Sequence, residues 1–178
     1  MKNRLQWLMR ALMLTMVALL LAAFETSTLA QIFGTLSPPS LWINVLLYTA
    51  LTRSRNTAMA VAYMISLFLT PITVLPLGVF ASSSVLTVLV AQYFKSRIYW
   101  PTLTYTMLIG GLGCLAYNIL SATVYWVFVR QPMGVPSFSD WAMQSMLTPL
   151  VAPIIFTGLR IIDAWMKVEP AEMGDSEL

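Results

Sequence analysis

The chain of 178 residues contains no histidine and a single cysteine, and only 10% of its residues are charged. Without histidine there is no imidazole for general acid–base work, for a Ser-His-Asp arrangement or for the commonest form of metal coordination. Cys114 has no second thiol in the chain, which excludes an internal disulfide and a dithiol redox pair. No Gly-rich phosphate cradle is present, and the acids within apolar stretches are not paired as a hydrolase requires. The shortage of charge also argues against a water-soluble domain, where about 25% of residues are charged. In place of these features, 58% of the residues are hydrophobic and the mean hydropathy is +0.77. The composition describes an all-α integral membrane protein with no catalytic set and no cofactor. A net charge of +3 is weak support for a nucleic-acid partner, and none is expected.

The position of each charge says more than the sum. Lys2, Arg4 and Arg10 come first, and Ala11 to Thr52 then carries Glu25 alone. Arg53 and Arg55 follow, and Asn56 to Phe94 carries no charge. After Lys95 and Arg97, only Arg130 and Asp140 interrupt the run from Ile98 to Leu159. Arg160 and Lys167 close the apolar region. A bilayer core about 30 Å thick is crossed by roughly 20 helical residues, so each long run holds about two crossings. Each also has breakers near its centre, at Gly34–Ser40, Thr70–Gly78 and Arg130–Asp140.

Three such hairpins put Arg130 alone on one side and every other lysine and arginine on the other. Positive loops stay cytoplasmic. The sequence therefore predicts one six-helix transmembrane domain over 1–167, with both termini cytoplasmic and an acidic cytoplasmic tail over 168–178. The expected helices cover 9–33, 41–52, 57–72, 77–95, 99–129 and 140–166. Tryptophan favours the headgroup level, and this topology puts Trp7, Trp100 and Trp165 at inner ends and Trp42, Trp126 and Trp141 at outer ends. The N-terminal basic residues, apolar run and Ser27–Ala30 imitate a secretory signal. The apolar run is long for one, and the segment is expected to stay as the first crossing.

The second helix, about 12 residues or roughly 18 Å, is too short to span alone, and the third is also short. Both are expected to leave an incomplete wall whose lateral faces bind a partner's transmembrane helix, and the bundle is expected to have an indentation open to the outer side. Glu25 is the acid placed inside a crossing, which makes it a functional candidate. Its outer position suggests solvation at the interface, and Glu25→Gln is then expected to leave assembly intact. Asn44 and Asn118 read as hydrogen-bonding links between helices or as the lining of a cavity. Gly110, Gly111, Gly113 and Cys114 form a small-residue patch suited to close helix packing within the bundle. Arg160, Asp163 and Lys167 share one helix face, so Asp163 is expected to meet both cations in a solvated ladder.

The stretch from Pro39 to Arg97 resembles the rod shape-determining protein MreD family. A short helix after a proline contains an apolar run ending in Leu46-Leu47-Tyr48, and the basic turn Arg53–Arg55 follows. The next helix leads to Leu77-Gly78, and a hydrophobic helix then ends in the basic loop Lys95–Arg97. Length, six helices and inside termini also agree. Where the family carries glycines in the third helix and an acid near its outer end, this chain has Ala58, Ala60, Ala62, Ser66 and Thr70. The role of that acid therefore does not carry over.

The resemblance implies a bundle similar to the S-components of energy-coupling-factor transporters, acting without catalysis in the bacterial cytoplasmic (inner) membrane. Its implied place is the cell-elongation complex. There it would bind an MreC-like bitopic protein and, through it, connect MreB-like filaments to peptidoglycan synthases and cell shape. A homodimer stays open, although no GxxxG pattern specifies one. Glu25, Asn44, Tyr48 and Asn118 are the candidate partner-contact or cavity residues. Arg53, Arg55, Arg160 and Asp163 are the candidate cytoplasmic contacts. The alternative is a substrate-binding S-component, which would need an outer-facing pocket with ligand-specific polar groups.

Overall fold

The computed structural model describes residues 2–34, 36–73, 75–95, 103–129 and 138–166, and the side chains of these except at 2–7 and 138. Arg97, Trp100, Arg130, Lys167 and the tail acids Glu169, Glu172, Asp175 and Glu177 lie outside the described residues, as do the side chains of Lys2, Arg4 and Trp7. Among the described residues every regular element is helical. Four stretches are long and apolar enough to cross a membrane: Leu8–Phe33, Leu77–Lys95, Leu103–Val129 and Ser139–Trp165.

Helix α1 (Lys2–Phe24) continues without a break into a π-helical stretch, Glu25–Leu29, and a last turn, Ala30–Phe33. The wider π turn has a local cause. The Thr26 hydroxyl donates to the Ala22 carbonyl at 3.0 Å and the Ser27 hydroxyl to the Ala23 carbonyl at 2.6 Å, so side chains compete with the backbone ladder. Gly34 then ends the helix at φ 58°, a conformation that side chains with a Cβ disfavour. The Pro38-Pro39 pair keeps the chain extended up to Ser40, and α2 (Leu41–Thr52) begins at once. Arg53 turns extended after it, and α3 (Arg55–Leu69) follows, finishing in a 3-10 turn at Thr70–Ile72 around Pro71. The three remaining helices are α4 (Leu77–Lys95), α5 (Leu103–Val129) and α6 (Phe138–Trp165).

The short α2 is the axis of the bundle. It packs against α1, α3, α4, α5 and α6, while α1–α3, α3–α4, α4–α5 and α5–α6 are neighbours around it. Every residue from Leu41 to Ala50 is buried. A helix apolar on all sides belongs inside protein rather than at its edge, and LWINVLLYTALT is such a helix. The expected incomplete wall is therefore not found at α2, which has no lateral face. An outward face does remain on α3, at Tyr63, Leu67 and Phe68.

Trp42 is a second correction. It is 8% exposed and packs against Phe80 (5.2 Å between centroids) and edge-on against Tyr117 (5.1 Å), forming an internal aromatic cluster in place of an interfacial anchor. Trp126 and Trp165 are exposed. The glycines of α5 allow its close approach to two neighbours. A Cβ at Gly111 would lie 2.7 Å from Pro149 Cγ, and one at Gly113 would run into the Leu47 side chain. Glycine at these positions makes room for the Pro149 ring within α6 and for the axial helix. The small-residue patch is thus turned inward.

Candidate functional site

Of the residues singled out in the sequence, Glu25 lies at one end of α2, and Tyr48, Arg53 and Asp163 meet at the other. At its N-terminal end, Glu25 is 8% exposed. Its Oε2 accepts the Leu41 backbone N–H at 2.8 Å, and its Oε1 accepts the Ser40 hydroxyl at 3.4 Å. The Ser40 backbone N–H donates to Thr148 Oγ1 at 3.0 Å, which adds α6 to the same junction. First-turn N–H groups have no partner within a helix, and at membrane depth an unmatched one is costly. The carboxylate supplies the missing acceptor and places negative charge at the positive end of the α2 dipole. Interface solvation is therefore not what stabilises Glu25.

At the other end, Tyr48 donates to Asp163 Oδ2 at 2.6 Å, and Arg53 Nη2 donates to Asp163 Oδ1 at 2.6 Å. The Arg53 and Asp163 side chains are 11% and 12% exposed, so this ion pair is largely shielded from water. Arg53 follows the last turn of α2, where a cation complements the dipole. Tyr48 also stacks edge-on against Phe156 at 5.5 Å, which fixes its ring against α6. The expected ladder along one face of α6 is replaced: the carboxylate reaches across to α2 and the α2–α3 turn. Arg160 and Arg55 are exposed, and Lys167 lies outside the described residues.

Asn44 and Asn118 occupy the middle of the bundle. Asn44 Nδ2 donates back to the Ser40 carbonyl at 3.0 Å, while its buried Oδ1 has no partner and faces Gly110 of α5. Asn118 Nδ2 donates to Gln144 Oε1 at 3.1 Å, joining α5 to α6. The Thr148 hydroxyl donates to the Gln144 carbonyl at 2.6 Å. Cys114, fully buried, lies within reach of Asn118 and Thr148. Ser40, Gln144 and Thr148 were not among the sequence candidates. Their signal was present in the Ser after Pro-Pro and in the i, i+4 pair on α6, both uncharged and easily passed over.

The structure thus brings Glu25 together with Ser40 and Thr148, and Tyr48 together with Arg53 and Asp163. It does not unite the candidates in one cavity. Glu25 and Asp163 hold opposite ends of a 12-residue helix, about 18 Å apart, too far to share a proton or a substrate atom. Among the described residues no group of three or more His, Cys, Asp or Glu side chains could hold a metal ion. The chain matches no protein-family model, no curated protein and no solved structure.

Two substitutions read the Glu25 contact. Glu25→Ala leaves the Leu41 N–H without its acceptor and is expected to cost about 1–2 kcal/mol. Glu25→Gln keeps one acceptor oxygen and loses the charge, for about 1 kcal/mol or less. Thermal unfolding of the purified protein in one detergent ranks wild type, Gln and Ala in that order. A glutamine variant as unstable as alanine would contradict the acceptor role.

Proposed function

We propose that this chain is a non-enzymatic scaffold subunit of the bacterial cell-elongation complex, an MreD-like protein of the cytoplasmic membrane. In this reading it crosses the bilayer six times, with both termini inside and a fold of the S-component kind. The observation that carries the proposal is the enclosed α2. The acids and amides singled out in the sequence hold this helix or join α5 to α6, so what the bundle offers outward is apolar lateral surface. A rigid bundle with side faces for helices suits a protein that gathers others. The partner in this reading is an MreC-like bitopic protein, which would relay contact to MreB-like filaments and peptidoglycan synthases.

The docking face assigned to it is the outward side of α3 at Tyr63, Leu67 and Phe68. In-membrane cross-linking followed by mass spectrometry of attached chains is the test. The scaffold reading expects a bitopic protein with a large outer domain, together with wall synthases. Tryptophan substituted at 63, 67 or 68 should lower that recovery at normal expression, and full recovery with all three would remove α3 as the docking face. Recovery of paired ATPases with a coupling subunit would instead identify a substrate-binding S-component.

A further inference from the structure

Helix α6 carries two prolines in its interior, Pro149 and Pro153. A proline has no N–H to give the carbonyl four residues back, so Ser145 and Pro149 lose their ladder donors. Two hydroxyls act on the same stretch. Thr148 donates to the Gln144 carbonyl at 2.6 Å and Thr157 to the Pro153 carbonyl at 2.7 Å, a back-bonding that favours bending. The backbone of α6 is thereby loosened between Gln144 and Thr157, around the two residues at which a long helix bends most readily.

The two sides of this stretch are held differently. Before Pro153, Gln144 accepts from Asn118 of α5 and Thr148 accepts the Ser40 N–H. Gly110 and Gly111 of α5 also lie close against Ala152 and Pro149. Beyond Pro153, Ile155, Phe156 and Leu159 are buried, and Phe156 meets Tyr48 of α2 edge-on. Among the described residues, the polar contacts that leave this half of α6 are those of Asp163, with Tyr48 and Arg53, each at 2.6 Å. Its other side is open: Ile154, Ile161 and Trp165 are exposed, and nothing lies within 4 Å of a Cβ at Gly158.

We propose that α6 is a hinged strap: Pro149 and Pro153 form the hinge, and the Asp163 contacts with Tyr48 and Arg53 form its latch. With the latch closed, the half from Ile154 to Trp165 lies on α2 and completes the closed bundle. With the latch released, that half swings away about Pro153 while the half held by α5 stays in place. Asp163 lies ten residues beyond Pro153, about 15 Å along the helix. A bend of about 20° there displaces the Asp163 end by about 5 Å. A charged group on a partner that displaces either member of the Arg53–Asp163 pair would move α6 in this way. The proposal rests on the fold alone and holds whichever partner the protein serves.

The test measures spin-label distances by pulsed electron resonance on the full chain in lipid nanodiscs, in a Cys114→Ala background. One label sits at the exposed Tyr63→Cys of α3, and the second at Ile161→Cys beyond the hinge or Met146→Cys before it; both native side chains are exposed. Asp163→Ala should lengthen or broaden the 63–161 distance by about 5 Å and leave 63–146 unchanged. Adding Pro153→Ala, which restores a donor to the Pro149 carbonyl, should abolish most of that change. Pro153→Ala alone, with the latch intact, should narrow the 63–161 distribution, a readout that does not depend on Asp163→Ala folding. An unmoved 63–161 distance in Asp163→Ala would overturn the latch. Equal movement of both pairs would overturn the hinge, as would a 63–161 distribution that Pro153→Ala leaves as broad as before.

Discussion

Asp163→Ala is expected to lower the stability of the protein by about 3–5 kcal/mol, the usual consequence of removing one member of a shielded ion pair. The change strands the Arg53 guanidinium, whose side chain is 11% exposed, and leaves the Tyr48 hydroxyl, on a residue 2% exposed, without an acceptor. Most of that penalty comes from the unmatched partners. Removing both charges together, in Arg53→Leu/Asp163→Leu, should therefore recover much of the loss. Tyr48→Phe deletes only a hydroxyl and should cost about 1–2 kcal/mol. Unfolding of the four proteins in the same lipid nanodisc gives the comparison. An Asp163→Ala variant within about 0.5 kcal/mol of wild type would show that this end of α2 is not held by the carboxylate.

Gly110→Leu is the second large effect, expected at about 3 kcal/mol or more. Even the Cβ of alanine at this position would lie 2.7 Å from Ala152 Cβ and 3.1 Å from Asn44 Oδ1. The Ala152 methyl is attached directly to the α6 backbone and cannot swing aside, so α5 and α6 must separate. Gly110→Ala should already cost about 1–3 kcal/mol. Gly158, within α6, provides the contrast, because nothing lies within 4 Å of the position its Cβ would take. Gly158→Ala should be neutral or stabilising by up to about 1 kcal/mol, since it removes only helical flexibility. Measured side by side, Gly110→Ala should lower the melting temperature, whereas Gly158→Ala should leave it unchanged or raise it. Equal shifts would contradict the close α5–α6 approach.

The membrane class was legible because it depends on sums and periods: long uncharged runs, proline breaks, and few charges. The Pro38-Pro39 break and the charge at Arg53 already bracket α2, since a helix cannot pass the first and a buried helix does not continue past the second. Where that helix sits was harder to see. Its length suggested an edge, whereas its apolar residues on every side pointed to the centre, and the second signal prevails. The partners of the acids were the least legible part. Local spacing offered Arg160 and Lys167 to Asp163, but the carboxylate binds Arg53, brought near by the packing of α2 on α6. Glu25 likewise looked isolated because its acceptor role serves a backbone N–H, and a backbone donor leaves no mark in a residue pattern. Trp42 followed the interface rule in sequence and broke it in space, because its neighbours Phe80 and Tyr117 lie on other helices.

The central claim is that the polar residues of the core fasten a closed bundle and do not line an accessible cavity. Cys114 tests it directly, being the one thiol of the chain, fully buried, and set among Asn118, Thr148 and Gly110 of the middle layer. The measurement is modification of Cys114 by N-ethylmaleimide in native membranes, compared with the same protein unfolded in sodium dodecyl sulfate. A closed core predicts no adduct in the membrane and one adduct per chain after unfolding. Native labelling at the rate of the unfolded chain would reveal an open path to the level of Asn44 and Asn118, which contradicts the scaffold account and points to a ligand-binding pocket.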